Sequence, residues 1–410
     1  MKNKKNNSPI ICGLDVGTSK ISLLVVREHT GGRLEFISSG HSESRGISKG
    51  LVVNLDDVAE CIRKAVDEAK KKVAIPIESV RLGAGGDHFE GFNSRGAVSI
   101  DGERQEVTHK LASDVVAASQ SLVIPPDREI RHILTQEFVI DGRGGIEKPM
   151  GLYGSQLDVN VHIITCRSTE ILNLIRAVNR VQIPVRKVIA QPMAAASAVI
   201  TRDQKELGAV MIDIGSGSTN IVVFQQNAVR HTKVLPVGGH NFTVDLAICL
   251  QTSIDDAEYI KKTHGTVLTE SVSNDDSVTV PGIGSHPSRS VPRKSVCHIL
   301  NMRATELLNL IRDQINSVAD VHQLYAGAVI TGGGCMLDGM MELAQNILGM
   351  PVCPGIPKGV HGLPDELAHP KYASVVGLTL FGTEDFMPSL PERRERARQA
   401  VNKFWSWLEK

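Results

Sequence analysis

Two segments of the chain share one order of apolar and polar positions. Residues 10–26 form an apolar run, a polar turn with glycine and a second apolar run, and residues 209–224 repeat that order. Each segment predicts a β-hairpin. Both carry an Asp-x-Gly sequence, starting at Asp15 and at Asp213, where the first strand ends. One such hairpin is compatible with an ordinary turn, but the pair is more specific, and its spacing exceeds a solenoid repeat of about 20 to 50 residues. Two related domains are therefore predicted.

A third segment, residues 328–344, joins a short apolar run to three consecutive glycines and then to a stretch with helical periodicity. The glycines, Gly332, Gly333 and Gly334, are not spaced as in the G-x-G-x-x-G of a dinucleotide site. Consecutive glycines instead allow a nucleoside, or its α-phosphate, to lie on bare backbone. Taken alone, the segment is equally a simple turn at the start of a helix.

The turns of the two hairpins carry groups suited to polyphosphate. Glycines let backbone N–H groups approach phosphate oxygens, and small hydroxyl side chains add donors. A carboxylate beside a phosphate is repelled unless a cation intervenes, so Asp15 and Asp213 are interpreted as partners of Mg²⁺, mostly through water. Lys20 either neutralises a terminal phosphate or is a solvated turn lysine. The candidate phosphate-binding residues are Gly13, Asp15, Gly17, Thr18, Ser19, Lys20, Asp213, Gly215, Ser216, Gly217, Ser218 and Thr219.

Composition narrows the class of protein. The 410 residues exceed one ordinary core, and Lys+Arg and Asp+Glu are equal at 45 each, which excludes a protein that coats nucleic acid nonspecifically. The seven cysteines form no C-x-x-C or Cys/His cluster, so buried thiols in a reducing cytoplasm are expected. No signal-peptide core follows the basic N-terminus, and the longest apolar region, 188–200, is too short to span a bilayer. Neither export nor a transmembrane helix is predicted.

The pattern changes again near the C-terminus. Residues 383–395 are polar and contain two prolines, which is the composition of a linker. Beyond them, apolar and aromatic residues recur at helical spacing among an excess of basic residues, which predicts an amphipathic helix lying on anionic lipid. The alternative is a helix packed back on its own body, which the preceding proline-containing linker disfavours. The predicted membrane-contacting residues are Arg398, Val401, Phe404, Trp405 and Leu408.

Together these motifs resemble the signatures of the actin, Hsp70 and hexokinase superfamily. Gly13 to Lys20 and Asp213 to Thr219 are similar to its two phosphate motifs, and the glycine triplet to its adenosine motif. Residues 191–195 and 372–378 are similar to its two connecting motifs. Within the superfamily, the chain most resembles the bacterial cell-division family FtsA. That likeness is carried by residues 44–50, 161–166 and 230–234 and by the C-terminal helix.

The resemblance implies an α/β, actin-like (ribonuclease H-like) duplicated two-domain ATPase fold, with an inserted subdomain 1C and a C-terminal amphipathic helix. The expected organisation is residues 8–83 for the first part of domain 1 (subdomain 1A), 84–161 for 1C, 162–190 for the return to 1A, 191–382 for domain 2 (subdomains 2A and 2B) with a closing 1A segment, 383–395 for the linker and 396–410 for the membrane-targeting helix.

The resemblance also assigns further residues to an ATP and Mg²⁺ site. Gln191 is expected to orient the attacking water, with slow hydrolysis at most; otherwise it caps a helix or faces solvent. Gly238 and Gly239 are expected to line the nucleotide. Glu306 is expected to reach the ribose or the adenine, or else to lie on a solvated helix face. Whether the chain is an enzyme stays open, with weak ATPase activity as the upper limit.

Implied partners follow from the same likeness. They are further copies of the chain in filaments, anionic membrane, later septal proteins and the acidic C-terminal tail of the tubulin-like division protein FtsZ, with no nucleic acid. Arg289 and Arg303 resemble the basic positions that receive that tail. The expected location is the cytoplasmic face of the inner membrane at the division septum.

Three other classes compete with this assignment. A sugar kinase would need a catalytic Asp and sugar-binding polar groups in the cleft, and an Hsp70-like chaperone would need a peptide-binding domain after the ATPase. The nearest alternative is an actin-like platform of type IV pilus assembly. It shares the phosphate motifs and the inserted subdomain but lacks the basic aromatic tail.

Overall fold

The structure is a computed structural model, and it describes residues 9–73, 76–100, 105–121, 124–284 and 286–382. The chain divides into two compact units. The large unit takes in the described parts of 1–92, 124–133 and 162–381, and the small unit takes in those of 93–123, 134–161 and 382–410. The predicted linker (383–395) and membrane-targeting helix (396–410) lie outside the described residues.

Runs of strands are interspersed with helices along the described residues. The strands are β1 (Ile10–Val16), β2 (Lys20–Glu28), β3 (Leu34–Glu43), β4 (Ile47–Ser48), β5 (Leu51–Val52), β6 (Val80–Ala84), β7 (Glu90–Ser99), β8 (Gln105–Glu106), β9 (Arg128–Ile140), β10 (Arg143–Ile146), β11 (Tyr153–Gly154), β12 (Gln156–Arg167), β13 (Val185–Ala190), β14 (Ala209–Ile214), β15 (Thr219–Gln225), β16 (Ala228–Leu235), β17 (Ser277–Val280), β18 (Arg289–Pro292), β19 (Ala328–Thr331), β20 (Val352–Pro354) and β21 (Val360–His361). The α-helices are α1 (Leu55–Lys72), α2 (His109–Ala118), α3 (Ser168–Asn179), α4 (Gln191–Val199), α5 (Arg202–Leu207), α6 (Gly239–Cys249), α7 (Ile254–His264), α8 (Arg293–Asn316), α9 (Met340–Leu348) and α10 (Ala373–Leu380). Short 3₁₀ turns cover Thr269–Ser271, Val321–Gln323, Gly333–Met336 and Pro370–Tyr372.

The large unit contains two sheets with one shared strand order. The first runs β13-β6-β1-β2-β3-β21 and the second runs β20-β19-β14-β15-β16. In each sheet three consecutive strands form an antiparallel meander, and a later strand pairs in parallel with the first of them. Strands β1, β2, β3, β6 and β13 thus correspond to β14, β15, β16, β19 and β20. The predicted duplication is confirmed by this topology.

The central strands are buried over almost their whole length. Every residue of β14 is buried, and so is every residue of β1 except Ile10. Strands that are covered on both faces have no solvated side, which explains why the sequence shows continuous apolar runs there rather than alternation. In the second sheet, Val210, Ile212 and Ile214 of β14 pack in one core with the buried face of α8.

Helix α1 shows how local sequence sets an element of the first half. The Asn54 side chain accepts hydrogen bonds from the backbone N–H groups of Asp56 (3.0 Å) and Asp57 (3.3 Å), which caps the helix start. The buried face of α1 then lies directly on β3. A Cβ atom on Gly40 would lie 1.9 Å from the carbonyl oxygen of Ala65, so this contact requires glycine.

Helices α4 and α10 cross at a point where no side chain separates their backbones. A Cβ atom on Gly377 would lie 1.6 Å from the carbonyl oxygen of Ala194. Helix α10 also packs on β1, since a Cβ atom on Gly13 would lie 2.9 Å from the Cβ of Leu378. These two helices are the segments that resemble the connecting motifs.

The small unit has its own sheet, ordered β10-β9-β12-β7, and the short pair β11-β8. Val115 and Val116 of α2 are buried, and a Cβ atom on Gly96 would lie 2.2 Å from the carbonyl oxygen of Val115. Arg95 forms a salt bridge of 3.0 Å with the buried Asp158. The predicted bounds of the inserted subdomain, 84–161, stay a prediction.

Two further expectations concern the burial of the cysteines and the lack of a transmembrane helix. Five of the seven cysteines are buried, but Cys249 and Cys353 are exposed, so the prediction of buried thiols is wrong for these two. Their positions explain the exposure, because Cys249 is the last residue of α6 and Cys353 lies in the edge strand β20. Among the described residues, no helix combines the length and apolar character that crossing a membrane requires.

Candidate nucleotide-binding site

The two Asp-x-Gly turns have the same geometry. In the first hairpin Asp15 is paired across the strands with Ser22, and the N–H of Gly17 donates to the carbonyl oxygen of Lys20 at 3.0 Å. In the second hairpin Asp213 is paired with Asn220, and the N–H of Gly215 donates to the carbonyl oxygen of Ser218 at 2.9 Å. Lys20 and Ser218 therefore occupy equivalent positions.

The structure brings the two turns together. A Cβ atom on Gly217 would lie 2.7 Å from Oγ1 of Thr18. Asp15 and Asp213 are both buried, and burial raises the pKa of each. For Asp213 the pKa rises to about 6, against the lowering effect of a hydrogen bond from Asn220, and the charge of Asp15 adds to the rise. Two buried carboxylates, one of which raises the pKa of the other, form a site where a cation is favourable.

Gln191, the first residue of α4, reaches Asp15. Its Nε2 donates to Oδ1 of Asp15 at 2.7 Å, and this bond lowers the pKa of Asp15 against the larger effect of burial. A Cβ atom on Gly85 would lie 1.9 Å from Oε1 of Gln191, so the loop after β6 holds the amide in place. The side chain is thus bonded inside the site rather than capping its helix, whose cap residue is Ala190. Its part in orienting water stays a prediction.

Lys20 contacts the two residues that directly precede α10. Its Nζ lies 3.8 Å from the centre of the Tyr372 ring and donates a hydrogen bond to the carbonyl oxygen of Lys371. Burial lowers the pKa of Lys20 to about 8, although the charges of Asp15 and Asp213 oppose the shift. The alternative of a solvated turn lysine does not describe this environment.

The glycine triplet lies against the second turn. Gly332 has a φ of +87°, and a Cβ atom there would lie 2.4 Å from Oδ1 of Asp213. A Cβ atom on Gly334 would lie 2.4 Å from Cγ2 of Ile214, whereas one on Gly333 would meet no described atom within 4 Å. The triplet is therefore packed at its two ends and open at its centre.

Gly238 and Gly239 brace the second turn. The N–H of Gly239 donates to the carbonyl oxygen of Gly215 at 2.8 Å, and a Cβ atom on Gly238 would lie 2.6 Å from the carbonyl oxygen of Ser216. Their contacts are therefore with the turn that carries the predicted phosphate-binding residues. Direct contact with a nucleotide stays a prediction for both.

Arg303 and Glu306 of α8 are paired with each other. Arg303 donates from Nε and Nη2 to the carboxylate of Asp245, at 2.5 and 3.0 Å, and from Nη1 to Glu306 at 2.6 Å. The hydrogen bond with Asp245 is the main reason that the pKa of Arg303 is raised. Arg289, in β18, is exposed and donates to the carbonyl oxygen of Leu250. The predicted roles of Glu306, Arg289 and Arg303 in binding stay predictions.

Sequence reasoning missed several residues that shape the site. Gly85, which confines Gln191, follows β6 as the glycine triplet follows β19, so the internal duplication was the signal that could have found it. Tyr372 lies in the segment that resembles a connecting motif, but nothing in the sequence indicated its contact with Lys20. Asn220 and Asp245 are ordinary polar residues in the sequence, and only the fold reveals their partners.

The residues present fit a magnesium nucleotide. Within the described part of the chain, two buried oxygens at equivalent positions, Oγ of Ser22 and Oδ1 of Asn220, have no hydrogen-bond partner. They stand across the strands from Asp15 and Asp213, on the same face as those carboxylates. Among the described residues, no three or more His, Cys, Asp or Glu side chains are placed to hold a metal ion together, so an ion here would take other ligands from water and phosphate.

Comparison with known proteins identifies the family. A model of "Cell division protein FtsA" matches residues 210–377, and a model of the "SHS2 domain inserted in FTSA" matches residues 86–165. The chain is 36% identical to FtsA of Pseudomonas aeruginosa over 92% of this chain and 89% of that one. It is 35% identical to FtsA of Escherichia coli K12 over 99% and 97%. The chain belongs to the FtsA family. The predicted family is thereby confirmed, and with it a role in cell division.

Solved structures confirm the actin-like fold of this FtsA-family member. The PilM-PilN type IV pilus biogenesis complex superposes with a TM-score of 0.62 at 17% identity, covering 91% of this chain and 98% of that one. MreB5 of Spiroplasma citri bound to ADP gives 0.55 at 11% identity, covering 92% and 97%. The MamK double helical filament gives 0.51 at 11% identity, covering 92% and 99%. At these identities the likeness concerns the fold alone.

Proposed function

We propose that this FtsA-family chain binds ATP and Mg²⁺, polymerises at the inner face of the cytoplasmic membrane, tethers the FtsZ ring there and recruits later septal proteins. The observation that carries the nucleotide part is the meeting of the two Asp-x-Gly turns, with Asp15 and Asp213 buried near one another. Family membership supports the cell-division part, and the MreB5 structure with bound ADP supports a nucleotide in this fold.

The proposed site divides into three parts. The N–H groups of the turns at 17–20 and 215–218 would receive the phosphates, and Asp15 and Asp213 would hold Mg²⁺ mainly through its water ligands. Bound Mg²⁺ would neutralise part of the negative charge of the phosphates. The open centre of the glycine triplet, at Gly333, would leave room for the adenosine. Lys20, whose charge interacts with both carboxylates, would balance the terminal phosphate.

Gln191 is proposed to position water for slow hydrolysis. Its Nε2 is engaged by Asp15, which fixes the amide so that Oε1 is the atom left to accept a hydrogen bond. A glutamine is too weak a base to remove a proton, so its effect would be orientation only. Gln191→Ala should therefore lower steady-state phosphate release while ATP still binds. An unchanged rate, in a wild-type protein with measurable activity, would remove Gln191 from the mechanism.

The membrane and FtsZ parts of the proposal have one decisive experiment. The full-length chain is sedimented with anionic liposomes, with and without ATP and a peptide of the FtsZ C-terminal tail. We expect the protein to pellet with lipid and to carry the peptide down, and deletion of residues 402–410 to abolish lipid binding. A protein that binds ATP but neither lipid nor peptide would be another kind of actin-like ATPase, and the pilus-assembly platform would become the leading alternative.

The two proposed FtsZ-contacting arginines differ in availability. Arg303 already satisfies two carboxylates, so an acidic peptide would have to compete with Asp245 and Glu306. Arg289 is exposed and bonded only to a carbonyl oxygen among the described residues. Of the two, Arg289 is therefore the one we propose as the first contact for the FtsZ tail.

A further inference from the structure

The β4–β5 hairpin carries an unusual residue at its turn. Lys49 and Gly50 both have positive φ, 49° and 83°, as a two-residue turn of this type requires. Asn-Gly or Asp-Gly is the usual choice there, and a residue with a Cβ in this conformation loses about 1 kcal/mol. The lysine is therefore held in a strained backbone conformation. The turn belongs to residues 44–50, one of the strings that carry the family likeness.

On one side the turn contacts the first half of the site. The N–H of Gly50 donates to Oγ1 of Thr18 at 3.2 Å. A Cβ atom on Gly50 would lie 2.7 Å from the carbonyl oxygen of Gly85, the residue that also confines Gln191. The turn therefore stands at the end of the site where Gln191 lies.

On the other side the turn contacts the second half. A Cβ atom on Gly217 would lie 3.0 Å from Cα of Lys49 and 3.3 Å from its backbone nitrogen. Gly217 is at the tip of the second phosphate turn, where it also meets Thr18. The Lys49 backbone is thus packed at the junction between the two turns.

The side chain of Lys49 contrasts with that of Lys20. Lys20 is occupied by the Lys371 carbonyl and the Tyr372 ring. Lys49 is exposed, and with the described residues it makes no hydrogen bond or ion pair. The Lys49 ammonium group has no carboxylate partner among the described residues, and its backbone lies beside the two turns proposed to bind phosphate, so the side chain is suited to a phosphate oxygen.

We propose that Lys49 is a further phosphate-binding residue, which contacts the terminal phosphate of a nucleoside triphosphate and so favours ATP over ADP. The inference rests on the proposed nucleotide site. The terminal phosphate is specified because Lys49 is linked through Gly50 and Gly85 to Gln191, whereas the glycine triplet packs on Asp213 and Ile214. Because ADP lacks the terminal phosphate, the position of the β4–β5 turn would then depend on which nucleotide is bound.

The test compares binding of fluorescent ATP and ADP analogues to the full chain in the presence of Mg²⁺. Lys49→Gln, which keeps a polar side chain and removes the charge, should weaken ATP binding about tenfold and leave ADP binding within about twofold. Lys49→Arg should retain the preference for ATP. Lys71→Gln is the matched control, because it removes an equally exposed charge at the end of α1. Lys49→Asn, which suits positive φ, serves if the Gln variant is unstable.

The outcomes separate this inference from the wider proposal. An unchanged ratio of ATP to ADP affinity in Lys49→Gln would overturn the inference while the nucleotide site stands. Equal weakening of both nucleotides would also overturn it, because Lys49 would then contact a phosphate that ATP and ADP share. A wild-type chain that binds neither nucleotide would overturn both.

Discussion

The first and second hairpins of the large unit share a backbone frame but differ in chemistry. Both place an aspartate at the end of a buried strand and close the turn with the same Gly N–H hydrogen bond. The first turn has Lys20 where the second has Ser218. Asp15 is bonded by a residue distant in sequence, Gln191, whereas Asp213 is bonded by its own cross-strand neighbour, Asn220.

The difference separates what the duplicated frame provides from what each copy adds. The frame buries both carboxylates, and burial raises the pKa of each, with the charge of Asp15 adding to the rise for Asp213, so a cation beside them is favoured. The first copy adds the Lys20 cation and the hydrogen bond from the Gln191 amide, so the proposed chemistry is concentrated there. The second copy adds the glycine triplet, which suits the nucleoside. One half thus carries the reacting end of the proposed site and the other carries recognition.

The largest loss of stability is expected at the crossing of α4 and α10, the two helices packed beside the hairpins. Gly377→Ala places a methyl group 1.6 Å from the Ala194 carbonyl oxygen, where backbone faces backbone, so α4 and α10 must separate. Overpacking of this kind costs about 3 kcal/mol or more in free energy of unfolding. Denaturant unfolding measures it. Gly31→Ala is the control, since no described atom lies within 4 Å there and only its positive φ is strained. Equal losses in the two variants would contradict the backbone contact.

A smaller change in stability is expected from the buried carboxylate of the second hairpin, Asp213. The pKa of Asp213 is raised from 3.8 to about 6, so the unliganded fold loses stability as pH rises through that interval. At neutral pH the loss amounts to about 3 kcal/mol. Asp213→Asn should remove it, raising the free energy of unfolding at neutral pH while weakening Mg²⁺-dependent nucleotide binding. Unfolding curves between about pH 4 and pH 8, without nucleotide, measure this. Parallel pH profiles for wild type and variant would exclude a raised pKa at Asp213.

The smallest expected effect is a change of ATP affinity with pH, and it depends on Lys20, the cation that the first turn has and the second lacks. Lys20 has a pKa of about 8 in the unliganded protein, so its positive charge is lost as pH rises through that value. A bound phosphate favours the charged form. ATP affinity should therefore fall several-fold from about pH 7 to about pH 9, and Lys20→Met should bind more weakly with a flat profile. The same pH dependence in wild type and Lys20→Met would assign it to another group.

The sequence predicted the frame because the frame is local. Strand, turn and strand follow one another within each hairpin, and the buried runs at 10–16 and 209–214 are visible without any knowledge of packing. Their repetition also predicted the duplicated fold, which the common strand order confirms. The glycine triplet was visible for the same reason, as a short string between a strand and a helix.

The contacts that complete the site are not local and left little trace in the sequence. Gln191 meets Asp15, and Tyr372 meets Lys20, through packing between distant segments. The expected contact of Glu306 with the nucleotide stays a prediction, and its ion pair with Arg303, one helical turn earlier, left no trace in the sequence pattern. The subdomain bounds are hard to read because β7, β9 and β12 each carry residues of both units, so composition does not change at the boundary.

The crossing of α4 and α10 has one more consequence. A glycine that lets two helix backbones approach this closely also lets the helices touch over much of their length, so α4 and α10 are joined firmly and are suited to move as one body. Gln191 begins one of these helices and Tyr372 directly precedes the other, so a shift of the helix pair would move the partners of Asp15 and Lys20 together. A change at the phosphates would then reach both helices at once.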